Sequence, residues 1–334
     1  MKVREDAYKH YFYFIQERMD IFWRRYDGQN YPYSKDPILT NNKFTNVYRA
    51  LDRVSQYLIK DVIYNPKNGK AKAEDILLRI IVFKIFNKID TWEFFEQEIG
   101  ELTVENFNPT QISKSLADLI KVQPIFNGAY MMTGTHQDYN HLKSKHEKWL
   151  NMVKDEFITN RKFDKIINAK SLEEVYNILN GCAFLGGFLS YQYAIDFNYS
   201  TAINFDENSF VKAGIGAIRG IKKCFSDLEK YTCEDAIKFT QDNLEHYQEK
   251  YGQNKFKNLF GRNPTLLDLQ NCFCETDKYL RVKMPELQSD NTRIKQKFSK
   301  PKANFNLFFP PKWNINQNIT LCKQPNIQEL TLFS

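Results

Sequence analysis

The sequence predicts an all-α protein with two lobes, and three observations support this prediction. Apolar residues recur at helical spacing through most of the chain, and alternating strand patterns are scarce. Hydrophobic residues make up 42% of 334 residues, and a chain of this length buries one large core or two modest ones. We therefore expect a helical domain over residues 1–282 and a basic, Asn/Gln-rich, largely irregular tail over 283–334.

The helices are predicted in order along the chain. Asp6–Arg25 carries Tyr11, Phe12 and Ile15 at helical spacing, and a turn-rich stretch separates it from a second helix over residues 42–63. Ala73–Asn87 is apolar nearly all round, so it should be a buried central helix. Further helices are predicted over residues 91–98, 111–121, 139–157, 171–180, 187–197, 208–225, 233–250 and 264–275.

Charges and cysteines exclude several classes of protein. The apolar run Ile76–Ile89 is interrupted by Arg79, Lys84 and Lys88, which argues against a membrane span, and the charged start does not resemble a signal peptide. The cysteines include no CxxC pair, which is typical of reduced thiols in an intracellular protein. We expect the nucleus if the source is eukaryotic and the cytoplasm otherwise.

The net charge of +7 is concentrated near the end of the chain. From Lys283 onward eight Lys and Arg stand against three Asp and Glu. A basic tail suits a polyanion such as nucleic acid, and a merely solvated tail explains it equally well.

A glycine-rich stretch from Asn177 to Gly220 holds six of the 13 glycines. Gly186 and Gly187 lie between two predicted helices, as in a helix-hairpin-helix. Backbone N–H groups at such a helix start can hold a phosphate, although paired glycines also end helices for structural reasons.

Asp206 lies twenty residues beyond Gly186. A carboxylate at that sequence separation from a phosphate-binding hairpin could act as a general base beside an extruded nucleotide. The competing interpretation is that Asp206 belongs to the cap of a helix beginning near Ser209.

Asn46, Arg49 and Arg53 would share one face of the predicted helix over 42–63, because they fall at i, i+3 and i+7. Such a face could bind phosphate through both arginines. The alternative is that Arg49 only forms an i, i+3 surface ion pair with Asp52.

Two further groups stand out near the end of the helical region. Glu275 and Lys278 lie within one turn and could form a helix salt bridge, or, if buried, Lys278 with Asp277 would form a polar network near a pocket. Arg219 and Lys222 lie at the end of the helix after Asp206, where they suit the helix dipole or face a phosphate.

Common cofactor motifs are absent from the sequence. It contains no GxxxxGK[ST], no GxGxxG and no HExxH, and no acid or cysteine spacing around the histidines makes a metal site. We expect no cofactor and no metal.

Five blocks together resemble a known family, the α-glutamyl/putrescinyl thymine pyrophosphorylases and the related helical domain of 5-hydroxymethyluracil DNA kinases. This family is an all-α relative of the helix-hairpin-helix DNA glycosylases. The blocks lie in the family's order and are Pro32–Leu39 (PYSKDPIL), Lys43–Val54 (KFTNVYRALDRV), Phe188–Tyr199 (FLSYQYAIDFNY), Phe210–Phe225 (FVKAGIGAIRGIKKCF) and Cys274–Arg281 (CETDKYLR).

The resemblance implies hypermodification of thymine-type bases in DNA. A kinase phosphorylates 5-hydroxymethyluracil, and a transferase then lets an amine or amino acid displace pyrophosphate from the activated base. Because the chain has no P-loop, the resemblance implies the transferase-like helical part, with a kinase or another base-modifying enzyme as a possible partner. DNA is then the substrate, and no membrane is involved.

The resemblance also suggests a role for each candidate residue. The hairpin would hold DNA phosphates together with Arg219 and Lys222, and the extruded base would enter a pocket between the lobes. The pocket would be lined by Tyr191, Gln192 and Asp196. The predicted catalytic residues are Asp206, Asp196 and Lys278, with Asp206 as the base, and Arg49 and Arg53 would neutralise the leaving pyrophosphate.

Two other functions remain open at this point. A DNA N-glycosylase would need only the hairpin and Asp206, and it would leave abasic sites. A non-catalytic nucleic-acid-binding protein with the same fold would bind DNA in a salt-dependent way that does not depend on Asp206.

Overall fold

A computed structural model describes residues 1–69, 71–128, 133–252, 256–287, 294, 297–298 and 306–319. The described residues form fourteen α-helices and one two-stranded sheet, which confirms the all-α prediction. The chain divides into two compact units, as the two-lobed prediction requires. Unit 1 comprises Met1–Asp52 and Val211–Ser334, and unit 2 comprises Arg53–Phe210.

The helices of unit 1 and unit 2 are numbered along the chain. They are α1 (Glu5–Tyr26), α2 (Pro37–Asn41), α3 (Arg53–Tyr57), α4 (Ala73–Phe86), α5 (Ile89–Glu98), α6 (Pro109–Val122), α7 (Lys145–Met152), α8 (Lys162–Ile167), α9 (Leu172–Asn180), α10 (Gly187–Asn198), α11 (Ile215–Cys224), α12 (Cys233–Asp242), α13 (Leu244–Lys250) and α14 (Leu266–Lys283). The strands are β1 (Lys2–Val3) and β2 (Phe225–Asp227), which pair antiparallel.

Unit 1 is built around α14, which packs against α1, α11 and α12. The ring of Tyr11 stacks on Phe273 with centroids 4.2 Å apart, and the hydroxyl of Tyr11 donates to the carbonyl of Leu269. Two glycines let α11 lie close to α14. An added Cβ on Gly216 would lie 2.3 Å from Cys274 Sγ, and an added Cβ on Gly220 would lie 2.0 Å from the Phe273 carbonyl oxygen. These two glycines therefore serve helix packing within unit 1 rather than approach to a ligand.

Unit 2 has α4 at its centre, as its uniformly apolar sequence predicts. Its side chains from Leu77 to Phe86 are all buried, and it packs against α10, α8 and α5. The helix ends at Asn87, which adopts a left-handed conformation with φ of 48°. Asparagine tolerates this conformation better than most residues, and Lys84 Nζ donates to its side chain at 3.0 Å.

The predicted helix over 42–63 is wrong in its first half. Asp52 Oδ1 accepts hydrogen bonds from the Asn46 backbone N at 3.4 Å and from its Nδ2 at 3.1 Å, and Asn46 Nδ2 also donates to the Leu51 carbonyl. Short polar side chains that bind the local backbone compete with helix formation. The segment is irregular up to a 3₁₀ turn at Arg49–Leu51, and α3 begins only at Arg53.

Other helix boundaries also differ from the predictions. The helix predicted over 208–225 begins only at Ile215, the one over 139–157 begins at Lys145 after the Ser144 cap, and the one over 233–250 breaks at Asn243. The helix predicted over 264–275 continues to Lys283. The sequence did not predict α8 or the small sheet.

Most of the tail over 283–334 lies outside the described residues. Of its described residues, 306–319 contain two 3₁₀ turns, Pro311–Trp313 and Asn316–Asn318. Phe309 is fully buried, and the side chain of Asn316 exchanges two hydrogen bonds with its backbone, at 2.9 and 2.8 Å.

Candidate functional site

The hairpin between α9 and α10 in unit 2 presents an uncapped helix start. Gly186 is the N-cap residue of α10 and has no side chain to satisfy the first amides. Its φ of −81° is ordinary, and a Cβ on it would meet nothing within 4 Å. Phe188, in the first turn, is 50% exposed. The sequence predicts that the backbone N–H groups at this end donate hydrogen bonds to a phosphate, and a helix start of this kind can hold an anion.

The left-handed residue of this hairpin is Phe184 rather than a glycine. Its φ is 65°, and its ring stacks on Trp149 at 5.1 Å and packs against Tyr139 at 5.3 Å. Packing of this kind holds a residue in a conformation that a bulky side chain rarely adopts. A Cβ on Gly187 would lie 3.1 Å from the hydroxyl of Tyr176, so this glycine permits a close approach to α9.

Asp206 lies on an exposed turn of unit 2 and does not cap a helix. Its Oδ1 accepts from the backbone N of Asn208 at 2.9 Å, and its carbonyl accepts from Ser209. Asn198, near the end of α10, fixes the preceding loop by exchanging two hydrogen bonds with the backbone of Phe205. The helix-cap interpretation is therefore wrong, and the catalytic role of Asp206 stays a prediction.

Asp196 is fully buried in unit 2 and forms an ion pair with Lys84 of α4 at 3.3 Å. Lys84 is 5% exposed, so both charges have left water. Asp196 was predicted as a site residue, whereas its partner Lys84 was not. A lysine inside an apolar helix indicates that an acidic partner lies nearby.

Tyr191 and Gln192, the predicted base-pocket residues, are both buried within unit 2. They are 1% and 6% exposed, and the ring of Tyr191 meets Phe210 edge-on at 5.9 Å. Solvent does not reach these side chains, so a base would contact them only after neighbouring residues move.

In unit 1 the structure brings together charged residues from α1, α14 and the segment before α3. The guanidinium of Arg18 donates to the Thr45 carbonyl at 3.1 Å and to Asn46 Oδ1 at 3.2 Å. Asn46 in turn donates to Asp52. Asn46 is thus occupied in holding its own segment, which corrects its predicted position on a helical phosphate-binding face.

Glu275 joins this segment to α14. It is 2% exposed, its Oε2 accepts from the backbone N of Thr45 at 3.1 Å, and its Oε1 pairs with Lys278. Asn271, one turn earlier, donates to the Thr45 hydroxyl at 3.0 Å and to the Asn46 carbonyl at 3.1 Å. The predicted Glu275–Lys278 pair is confirmed.

Arg49 and Arg53 do not share a face. Arg49 lies in the 3₁₀ turn of unit 1, is 6% exposed, and donates its backbone N to Asp268 Oδ1 at 3.1 Å. Asp268 also closes the capping box at the start of α14 with Thr265. Arg53 is the first residue of α3, is exposed, and belongs to unit 2. The prediction that these arginines share a face of one helix is therefore wrong, and their phosphate-binding role stays a prediction.

We refer to Arg18, Arg49, Asp52, Asp268, Glu275 and Lys278 as the Asp52 cluster. Burial raises the pKa of Asp52 to about 6. The hydrogen bond from the Asn46 backbone opposes this rise, the Glu275 charge adds to it, and the charges of Arg49 and Arg18 oppose it. A carboxyl group that titrates near neutral pH can exchange protons under physiological conditions.

Arg219 and Lys222 lie on α11 of unit 1, one turn apart, and Lys222 is exposed. Neither forms an ion pair with any carboxylate in the described part of the chain. Lys223, the next residue after Lys222, is buried and pairs with Asp277 at 2.9 Å, and Asp277 also pairs with Arg281. Asp277 is therefore bonded to these two cations, while Lys278 pairs with Glu275.

The described residues contain neither a membrane-spanning helix nor a metal-binding cluster. None of their helices is both long and apolar enough to cross a membrane. None of their His, Cys, Asp and Glu side chains assemble in threes or more in a way that could hold a metal ion.

The chain belongs to the family described as the 5-hmdU DNA kinase helical domain, whose match extends over residues 5–289. This match includes the hairpin, Asp206 and every member of the Asp52 cluster.

A curated relative is the 5-hmdU DNA kinase of Bacillus phage SP10, which is 26% identical over 313 residues. The aligned region covers 89% of this chain and 48% of the phage protein, so the chain spans about half the length of that relative. No solved structure matches the chain.

Proposed function

We propose that this protein takes part in the modification of 5-hydroxymethyluracil bases in DNA. The observation that carries the proposal is the family match over residues 5–289, together with a relative named as a 5-hmdU DNA kinase. DNA is then the macromolecular substrate.

The specific reaction that we propose is transfer to an activated base. The substrate is a 5-hydroxymethyluracil that carries a pyrophosphate, and an amine or amino acid nitrogen forms a bond to the methylene carbon. The carbon–oxygen bond breaks, and pyrophosphate leaves with the electron pair. The sequence carries no GxxxxGK[ST] phosphate-binding loop, so the activated base would come from a kinase acting before this step.

Contacts to DNA are proposed at two places that are described separately because they belong to different units. In unit 2 the start of α10 at Gly186 and Gly187 has no side-chain cap, and in unit 1 Arg219 and Lys222 are cations outside any ion pair of the described residues. Phosphate contacts of this kind position a duplex without reading its sequence.

Charge compensation for the leaving pyrophosphate is proposed to come from the Asp52 cluster, whose cations are Arg18, Arg49 and Lys278. Leaving phosphates require such compensation. Asp206 is proposed as the group that takes the proton of the attacking amine, because it is an exposed carboxylate on a turn fixed through Asn198. The role predicted for Asp196 requires its buried pair with Lys84 to open.

The test is mass spectrometry of nucleosides from oligonucleotides that carry 5-hydroxymethyluracil, its pyrophosphate ester or plain thymine. Each is incubated with the protein and a pool of amino acids and polyamines. A new base mass from the pyrophosphate ester alone is the expected result, and Asp206→Asn should lower its yield. Base loss would instead establish a DNA N-glycosylase, and binding without any mass change would establish a non-catalytic DNA-binding protein.

A further inference from the structure

The exposed face of α11 in unit 1 carries an isoleucine beside two cations. Ile215, the first residue of the helix, is 72% exposed. Arg219 and Lys222 follow it at i+4 and i+7, so the three side chains lie on one face of the helix. This face therefore presents a large apolar side chain to solvent next to two positive charges.

The opposite face of α11 is fixed against the core of unit 1. It repeats the same spacing with the buried residues Ala217, Ile221 and Cys224. Gly216 and Gly220 allow the close approach to α14, and the buried ion pair of Lys223 with Asp277 joins the two helices. Since α11 is held in this way, the exposure of Ile215 results from its position on the helix and not from loose packing.

The two cations indicate what kind of partner this face fits. Single exposed apolar side chains are common on protein surfaces and need no explanation by themselves. Arg219 and Lys222, however, form no ion pair with a carboxylate of the described residues. A second copy of the chain bound through the same face would bring like charges together. DNA offers the complementary surface, with phosphates outside and stacked bases between them.

The spacing along α11 fits a contact with a base step. With a rise of about 1.5 Å per residue, Arg219 lies about 6 Å and Lys222 about 10 Å beyond Ile215 along the helix axis. One base step of a strand is about 3.4 Å long, so these offsets correspond to about two and three steps. An apolar side chain at Ile215 can therefore enter the stack while the two cations contact phosphates nearby.

The proposed function requires that the DNA stack be opened. Enzymes that act on a base of a duplex take that base out of the stack, and the broken stacking and pairing cost free energy. Apolar side chains, isoleucine among them, enter such opened steps in DNA-bending proteins. Burial of the isoleucine against the bases then offsets part of the cost.

We propose that Ile215 is a wedge that enters the base stack beside the target base, while Arg219 and Lys222 contact the adjacent phosphates. That the step is opened for an extruded base rests on the proposed function. That this face of α11 contacts DNA rests on its exposed isoleucine and its two cations.

The experiment uses a duplex that carries the pyrophosphate ester of 5-hydroxymethyluracil with 2-aminopurine as its neighbour. The fluorescence of 2-aminopurine rises when it loses its stacking partner, and the anisotropy of a terminal label reports binding. Ile215→Ala removes the wedge, and Ile215→Leu keeps an apolar side chain of equal size. Val122→Ala is the matched control, because Val122 is 80% exposed at the end of α6 and the neighbouring Lys121 is paired with Asp118.

We expect the unmodified protein, Ile215→Leu and Val122→Ala to raise the 2-aminopurine fluorescence on binding, and Ile215→Ala to leave it low. Ile215→Ala should bind the duplex about tenfold more weakly, which corresponds to about 1.4 kcal/mol. Its salt slope should be unchanged, because no phosphate contact is lost. It should bind the single strand as tightly as the unmodified protein, because a single strand has no paired stack to open.

Two results would overturn the proposal. One is an equal fluorescence rise and equal duplex affinity in Ile215→Ala, which would leave another protein as the partner of this face. The other is an equal loss of affinity for duplex and single strand, which would make Ile215 a surface contact outside the stack.

Failure of the proposed function is distinguishable, because the nucleosides of the same duplex are analysed after incubation with amines and amino acids. A modified base formed with the fluorescence rise undiminished in Ile215→Ala overturns the wedge alone. Unstacking that depends on Ile215, without any modified base, overturns the function alone.

Discussion

Replacing Gly220 with alanine is the sharpest test of how unit 1 is held together. The new Cβ would lie 2.0 Å from the Phe273 carbonyl oxygen and 2.7 Å from its carbon. Because the obstacle is the backbone of α14, no rotamer change relieves it, and α11 must move away. Overpacking a core costs about 1–3 kcal/mol and sometimes more, so we expect a loss of about 3 kcal/mol or more for a clash against buried backbone.

Gly216 provides an internal comparison on the same helix. Its added Cβ would meet the Cys274 Sγ at 2.3 Å and the Cys274 Cβ at 3.3 Å. Gly216→Ala should therefore destabilise the fold, and adding Cys274→Ala should recover most of the loss because it removes the sulfur. No side-chain truncation can rescue Gly220→Ala in this way.

The assay is denaturant unfolding followed by circular dichroism at 222 nm, with Lys222→Ala as the control. Lys222 is exposed on α11, and surface substitutions of this kind usually change stability by less than about 0.5 kcal/mol. A Gly220→Ala protein as stable as this control would refute the close packing of α11 on α14. So would a failure of Cys274→Ala to improve the Gly216→Ala protein.

The remaining predictions concern charges. Lys84→Met should lower stability by about 3–5 kcal/mol, because it leaves Asp196 buried without its cation, and adding Asp196→Leu should restore most of the loss. Asp52→Asn should raise stability by about 1–2 kcal/mol at pH 8. Because the pKa is raised in the folded state, the penalty of ionised Asp52 is fully present above about pH 6, decreases as the pH falls, and vanishes below about pH 4, and the gain in Asp52→Asn should follow it. Arg219→Gln and Lys222→Gln should each weaken DNA binding equally for all sequences and reduce the salt slope by about 0.9.

Each of these predictions has an outcome that contradicts it. Unfolding free energies measured in urea would count against the buried ion pair if the double substitution were no more stable than Lys84→Met alone. Thermal unfolding from pH 4 to 8 would contradict the Asp52 assignment if the difference from Asp52→Asn stayed constant. Fluorescence anisotropy at several salt concentrations would exclude Arg219 and Lys222 from the DNA contact if the slopes did not change.

The sequence predicted the fold well where apolar periodicity was strong. The central position of α4 followed from its uniformly apolar composition, and the positions of α9 and α10 around the hairpin followed from their spacing. Periodicity failed where side chains compete for the backbone, as at Asn46 and Asp52, since a helical spacing of residues does not reveal a hydrogen bond that prevents the helix.

The sequence predicted single residues of the candidate site but not which of them lie together. Arg49 and Lys278 were recognised in separate blocks, whereas Arg18 was missed because it is one charge on an amphipathic helix and nothing local relates it to Asp52. The prediction that the glycines approach a ligand is wrong for two of them. Gly216 and Gly220 approach α14 rather than a ligand, and that approach involves residues about fifty positions away in the sequence.

We propose above all that the protein displaces pyrophosphate from an activated base in DNA. It is tested most directly by counting, in one reaction, the pyrophosphate released and the new nucleoside formed from an oligonucleotide carrying the pyrophosphate ester of 5-hydroxymethyluracil. We expect one pyrophosphate for each new nucleoside, and neither product from the thymine oligonucleotide. Neither product from the ester, with protein that is folded and bound to the DNA, would contradict it.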